Sequence, residues 1–182
     1  MDFQNNKKTF LAKLDKSKKG GIDENVVSLI GVINSKENYY TTSSCSGRVG
    51  LLKGSEKKNE TEWLKVSHDL IKEDFFGLEN NKGLVWLRLE PFIMHICCKD
   101  LESANILLGG AKRTYKKSCI LSVSNKFIVE IRGSEQLKMP FYDDGELLFS
   151  GELTWLRNFI NEKLGKIWEG INKFELILKE LK

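Results

Sequence analysis

Hydrophobic positions recur every three or four residues at the carboxyl end of the chain: Leu153, Leu156, Ile160, Leu164, Ile167, Ile171, Phe174 and Leu178. That period predicts one long amphipathic helix over residues 150–182, about 45 Å of rod at 1.5 Å per residue. Glu162/Lys166, Glu169/Lys173 and Glu175/Lys179 add Glu-before-Lys pairs at the favoured spacing of four. Near the start, Phe3, Phe10, Leu11 and Leu14 predict a helix over residues 3–16, broken at Gly20-Gly21. Asp23 then caps a second helix whose stripe is Val26, Val27, Leu29, Ile30 and Ile33.

Between these helices the pattern changes. Tyr39 to Ser43 reads as extended, Ser44 to Arg48 as a turn, and Val49 to Leu52 as a further strand. Gly54 to Glu60 reads as a hairpin loop before a strand at Trp63 to Ser67, with His68 at its end and a short helix over residues 69–77. The densest apolar part runs from Gly83 to Cys98, broken at Pro91. A helix from Leu101 to Leu108 is entered through Asp100 and left through Gly109-Gly110, and Ser118 to Val123 pairs with Phe127 to Arg132 as a hairpin. A last extended piece, Leu137 to Phe141, precedes the loop Tyr142-Asp143-Asp144-Gly145. Without a regular βαβ repeat, the expected fold is α+β, with a mixed, largely antiparallel sheet, packed helices and a long C-terminal helix. A single domain over residues 1–182 accommodates it.

Composition narrows the classes. No apolar run is long enough to cross a bilayer, and Met1-Asp2-Phe3-Gln4 leads into a charged amphipathic pattern that does not read as a secretory signal. A cytoplasmic location is expected. Cys45, Cys97, Cys98 and Cys119 lack paired ligand spacing, and the last three are expected to be small buried residues. Lys7, Lys8, Lys13, Lys16, Lys18 and Lys19 crowd the first twenty residues, and Lys112, Arg113, Lys116 and Lys117 form a second basic cluster. Such clusters suit either an anionic partner or ordinary solvated faces.

Candidate chemistry centres on "TTSSCSGR". No Gly-rich nucleotide fingerprint is present, which argues against a Rossmann-type site. His68 and His95 are the only histidines, with no HExxH, so no metal site is expected. Cys45 as a nucleophile requires a neighbouring base or cation, such as Arg48 or a histidine. An anion-holding reading suits the stretch better: Ser44 and Ser46 offer hydroxyls, Gly47 allows positive φ, and Arg48 offers a bidentate fork. Glu130 and Arg132 lie two apart on a strand, on one face, as a charge pair or as half of a polar site.

"YYTTSSCSGRVGLL", "WLKVSHD", "LVWLRLEPFIMHICCKDLESANILL" and "ILSVSNKFIVEIRGSEQLKMP" resemble, in order, the tRNA wybutosine-synthesizing protein 3 family. Asp15 to Gly20 and Ile22-Asp23 also look like that family's opening. The resemblance implies an S-adenosylmethionine-dependent methyltransferase of the wybutosine pathway. It would act on ring nitrogen N4 of the aminocarboxypropyl-bearing tricyclic guanosine beside the anticodon of phenylalanine tRNA. It implies a cofactor and substrate set drawn from Ser44, Ser46, Gly47, Arg48, Glu130, Arg132 and Ser118, with His95, His68 or Cys45 in the chemistry. Tyr39, Tyr40, Trp86 or Phe92 would stack on the base, and the basic clusters would hold anticodon-stem phosphates. Ser118-Cys119-Ile120 departs from the family's Ser-Gly-Ile run. Two other classes compete: a noncatalytic tRNA-binding module and a Cys45-dependent enzyme.

Overall fold

The computed structural model describes residues 2–12, 21–54, 61–79 and 81–181. Its helices are α1 (Phe3–Leu11), α2 (Glu24–Ser35), α3 (Leu101–Lys112) and α4 (Leu153–Glu180). Its strands are β1 (Tyr39–Lys53), β2 (Glu62–Ser67), β3 (Val85–Cys98), β4 (Cys119–Ser122), β5 (Phe127–Arg132), β6 (Leu137–Asp143) and β7 (Glu146–Leu147). They follow the order β2-β1-β3-β5-β4, with β6 paired to β3 and β7 to β6. The β1–β2, β3–β5, β3–β6, β4–β5 and β6–β7 registers are all antiparallel. The architecture is α+β. No helix among the described residues is long and apolar enough to cross a membrane.

Two compact units divide the chain: Met1–Ser46, Phe92–Ser134 and Ile167–Lys182 in one, Gly47–Pro91 and Glu135–Lys166 in the other. In the first, α2 buries Val26, Leu29 and Ile33, while Phe92, Met94 and Ile96 of β3 and Val129 and Ile131 of β5 are fully or almost fully buried. Tyr115 sits between Phe92 at 5.0 Å and Phe174 of α4 at 5.8 Å. Tyr40, also fully buried, packs against Phe3 and Phe10 of α1, each ring 5.5 Å away. In the second, the buried set includes Val49, Leu51, Leu52, Val85, Leu87 and Leu89 together with Phe76, Phe141, Leu156 and Ile160. Phe76 and Phe141 lie 5.4 Å apart.

Several expectations are corrected here. Ser44 to Arg48 is no turn: β1 runs through it unbroken. Gly47 absorbs a φ of 92° within the strand, a conformation open to glycine and costly for other residues. The helix expected over residues 69–77 shrinks to a 3-10 turn at Glu73–Phe76. Ahead of it the backbone groups are already taken: Ser67 Oγ accepts from Asp69 N at 3.1 Å, and the Asn161 side chain bonds both Ile71 N and Ile71 O.

Pro91 does not break β3. It lies between the run paired to β6 (residues 85–89) and the run paired to β5 (residues 93–98), so neither of these two registers asks residue 91 for an N–H. The buried positions pass from odd (85, 87, 89) to even (92, 94, 96) across it. Gly109-Gly110 does not end α3 either. A Cβ on Gly110 would lie 2.7 Å from Leu181 Cδ1, so this glycine serves close packing. Cys97 and Cys98 are buried, but Cys119 is exposed, because β4 is the terminal strand of the order. The first helix is described as far as Leu11, with Ala12 as its cap; residues 13–20, including Lys13, Lys16, Lys18 and Lys19, lie outside the described residues, as do residues 55–60 of the expected hairpin loop.

Candidate functional site

In the first unit the antiparallel registers build a polar row. His95 of β3 stands opposite Glu130 of β5, and Glu130 stands opposite Cys119 of β4. Thr42 Oγ1 donates to the His95 carbonyl at 3.1 Å, tying β1 to the same place. Ser43 Oγ lies 2.7 Å from His95 Nδ1, and Glu130 Oε2 lies 3.0 Å from His95 Nε2. An ionised carboxylate only accepts, so in the neutral imidazole facing it Nε2 carries the hydrogen and Nδ1 accepts from the Ser43 hydroxyl. Ser43 is exposed, while the His95 and Glu130 side chains are 27% and 19% exposed. The arrangement is a hydroxyl, an imidazole and a carboxylate in line, with the hydroxyl end facing solvent. Such a line can move a proton from a group beside Ser43 to His95 and stabilise the resulting imidazolium.

The neighbouring residues of β1 divide the labour differently from expectation. Ser46 is fully buried, and its N–H and hydroxyl both donate to Asp23 Oδ2, at 2.9 and 3.0 Å. Asp23 takes the N-cap position of α2 but makes no side-chain cap bond there; its carboxylate locks α2 to β1 instead. Cys45 is half-buried, with its sulfur within 4.8 Å of an Asp23 carboxylate oxygen. Ser44 is half-buried on the same strand.

Arg132 is exposed at the end of β5, paired in register with Ile93. Ser118 is buried, its hydroxyl without a hydrogen-bond partner among the described residues. Tyr39, Tyr40 and Phe92 are buried and present no ring to a ligand, and the Tyr39 hydroxyl donates to the Ser103 carbonyl at 3.1 Å. Of the aromatics expected to stack on a base, Trp86 alone is half-exposed.

The second unit holds Gly47, Arg48 and His68. His68 follows β2 and is half-buried. Arg48 is held on two sides. Its Nε donates to Glu90 Oε2 at 2.6 Å, and its guanidinium carbon lies 4.4 Å from the centroid of Trp63. The Trp63 ring reaches this position because residue 50 is glycine: a Cβ there would lie 2.5 Å from Trp63 Cζ3. Arg88, two residues before Glu90 on β3, brings a second guanidinium, with Nη1 3.9 Å from Glu90 Oε1. Its Nε is buried without a hydrogen-bond partner among the described residues. The side chains of Arg48, Glu90 and Arg88 are 33%, 31% and 20% exposed. Two guanidinium groups, one carboxylate and one indole face form a concentrated site for a charged, partly apolar ligand.

Sequence reasoning did not single out Ser43, Asp23, Trp63, Arg88 or Glu90 as site residues. Ser43 sits inside the quoted motif and Glu90 beside the proline. Their roles depend on cross-strand partners, which local spacing does not reveal.

A family model described as Methyltransferase TYW3 matches residues 5–180 of the chain. The chain is 36% identical over 192 residues to the tRNA(Phe) 7-((3-amino-3-carboxypropyl)-4-demethylwyosine(37)-N(4))-methyltransferase of Methanocaldococcus jannaschii, covering 100% of both. It is 34% identical over 186 residues to the tRNA wybutosine-synthesizing protein 3 homolog of Xenopus laevis, covering 97% of this chain and 74% of that one. Among solved structures, the PH1069 protein from Pyrococcus horikoshii superposes with a TM-score of 0.87 at 32% identity, covering 97% of this chain and 96% of that chain. A hypothetical protein from Aeropyrum pernix shares the fold, with a TM-score of 0.72 at 23% identity over 87% of this chain and 98% of that chain.

Proposed function

This chain belongs to the methyltransferase TYW3 family, and on that premise we propose that it transfers a methyl group from S-adenosylmethionine to ring nitrogen N4 of the 7-aminocarboxypropyl-demethylwyosine nucleoside beside the anticodon of phenylalanine tRNA. S-adenosylmethionine, when bound, supplies an electrophilic methyl group. The donor set suits such a ligand: the Arg48 guanidinium, its Nε on Glu90 and its face on Trp63, can present its remaining N–H groups to a carboxylate. The exposed Lys112, Arg113, Lys116 and Lys117 suit the RNA phosphates, and a cytoplasmic location belongs to the same reading.

The observation that carries the proposal is the Ser43–His95–Glu130 line in a chain of this family. As N4 bonds to the arriving carbon it must release its proton, or a cationic ring results. Ser43 Oγ takes that proton while its own passes to His95 Nδ1, and Glu130 stabilises the imidazolium through the Nε2 hydrogen. His95 is assigned this role on the partners of its two ring nitrogens, Ser43 at Nδ1 and Glu130 at Nε2.

The test is a reconstituted reaction of purified protein, labelled S-adenosylmethionine and phenylalanine tRNA bearing the unmethylated tricyclic precursor, followed by nucleoside mass analysis. A gain of one methyl on that nucleoside is expected. Binding of the RNA without cofactor binding or methyl gain would reduce the protein to a tRNA-binding module.

A further inference from the structure

Arg48 and Arg88 flank Glu90 unequally. Arg48 Nε satisfies Oε2 at 2.6 Å, whereas Arg88 Nη1 stands 3.9 Å from Oε1, beyond hydrogen-bond range. Arg88 Nε is buried with no acceptor among the described residues, a donor whose desolvation nothing repays. Among the described residues the cluster therefore keeps a carboxylate oxygen and guanidinium N–H groups available side by side, two cations against one anion, on a partly exposed surface walled by Trp63. A bare phosphate would meet the Glu90 carboxylate head-on. A zwitterion carries an ammonium for Glu90 and a carboxylate for the guanidinium groups, so it matches every charge present.

We propose that Arg48, Glu90 and Arg88 form a receptor for an α-amino-acid head group, Glu90 Oε1 accepting from the ammonium and Arg88, with Arg48, donating to the carboxylate. This rests on the proposed function in one respect, the identity of the ligand. The nucleoside named for the Methanocaldococcus jannaschii relative bears a 3-amino-3-carboxypropyl chain, and S-adenosylmethionine ends in the same group. The receptor chemistry is common to both sources, and binding measurements separate them.

Full-length wild type, Arg88→Met and Glu90→Gln, each checked for folding by circular dichroism and thermal melting, would be titrated calorimetrically with S-adenosylhomocysteine and with 5′-methylthioadenosine. The second ligand keeps the adenosine and lacks the amino-acid end. The same proteins would be titrated, without cofactor, with phenylalanine tRNA bearing the tricyclic nucleoside with and without its aminocarboxypropyl chain. If the cofactor end is the ligand, wild type prefers S-adenosylhomocysteine over methylthioadenosine by about tenfold or more, as charged hydrogen bonds imply. Both variants then lose that preference and bind methylthioadenosine as wild type does. If the nucleoside end is the ligand, the preference and its loss appear in the tRNA pair instead. Folded variants that keep wild-type affinity for all four ligands, or lose affinity for all four equally, overturn the receptor.

Should Arg88→Met fail to fold, the isosteric Glu90→Gln decides alone. A wild type that discriminates the amino-acid end, with loss of that discrimination in the variants, but never methylates tRNA would refute the proposed function and keep the receptor. Methyl transfer unaffected by folded variants with unaltered affinities would do the reverse.

Discussion

Replacing Gly50 by alanine inserts one methyl group where the indole of Trp63 already lies. The added carbon would sit 2.5 Å from Cζ3, 2.8 Å from Cε3 and 3.2 Å from the Lys65 carbonyl oxygen. Comfortable carbon–carbon contact begins near 3.5 Å, so the ring must retreat by about 1 Å. Gly50 is buried in β1 opposite Val66 of β2, which leaves the backbone little room to give instead. Overpacking of this kind costs about 1–3 kcal/mol of stability.

The ring also carries the Arg48 guanidinium at 4.4 Å. A shift of about 1 Å in a positioned group can cost up to about a hundredfold in rate. Urea denaturation of Gly50→Ala, Trp63→Leu and the double variant, with methyl-transfer rates for each, resolves the two effects. Gly50→Ala should lower stability in the wild-type background and cost much less in the Trp63→Leu background, where only the Lys65 carbonyl contact remains, a clear departure from additivity. Activity should stay low in the double variant, because the indole under Arg48 is gone. A Gly50→Ala protein with wild-type stability, or an equal penalty in both backgrounds, would refute the account of why residue 50 is glycine.

Arg48→Lys should leave the fold intact and remove most of the activity, since an ammonium cannot form the planar fork over Trp63 and toward Glu90; near-normal turnover would take Arg48 out of the site. Cys45→Ala should retain a substantial fraction of activity, and loss of all methyl transfer in a folded protein would restore the thiol to the chemistry. Glu130→Gln keeps the shape beside His95 but removes the charge that stabilises the imidazolium, so kcat should fall about tenfold or more with little change in KM, and an unchanged kcat would count against the proton line. The buried Cys98 thiol is pushed up to about 12 by desolvation first, then by Cys97 and Asp100. Its thiolate is scarce at every pH below that value, so iodoacetamide near pH 8 should modify exposed Cys119 while Cys98 reacts only on unfolding. Mass mapping of the labelled positions checks this, and early labelling of Cys98 would contradict its burial.

The C-terminal helix was legible in the sequence because its signal is local. Leu156, Ile160, Leu164, Ile167, Ile171, Phe174 and Leu178 are buried at the expected spacing, and Glu162–Lys166 and Glu175–Lys179 close at 2.6 Å, the first pair exposed and Glu175 turned inward, where it also accepts from Ser28 Oγ. The Asp100 cap was legible for the same reason, its carboxylate accepting from Ser103 N at 2.8 Å, as was the β4–β5 hairpin. The family, too, was legible, in motifs whose order survives in the primary structure.

The course of the chain through those motifs was not. Glycines and a proline that read as punctuation at Gly47, Pro91 and Gly109-Gly110 lie inside continuous elements, because what each residue does there is set by the partner beside it. Gly110 admits Leu181, Gly50 admits Trp63, and Pro91 falls between two paired runs. The functional groups obey the same division. Sequence alone marked Arg48, His95 and Glu130 as the residue types such chemistry needs. Only strand register could set Glu130 against His95, turn Ser46 inward to Asp23, and place Arg48 between Glu90 and Trp63. A period of two or 3.6 is carried by near neighbours, whereas a hydrogen bond between residues 52 apart, such as Ser43 to His95, exists only once the fold has brought them together.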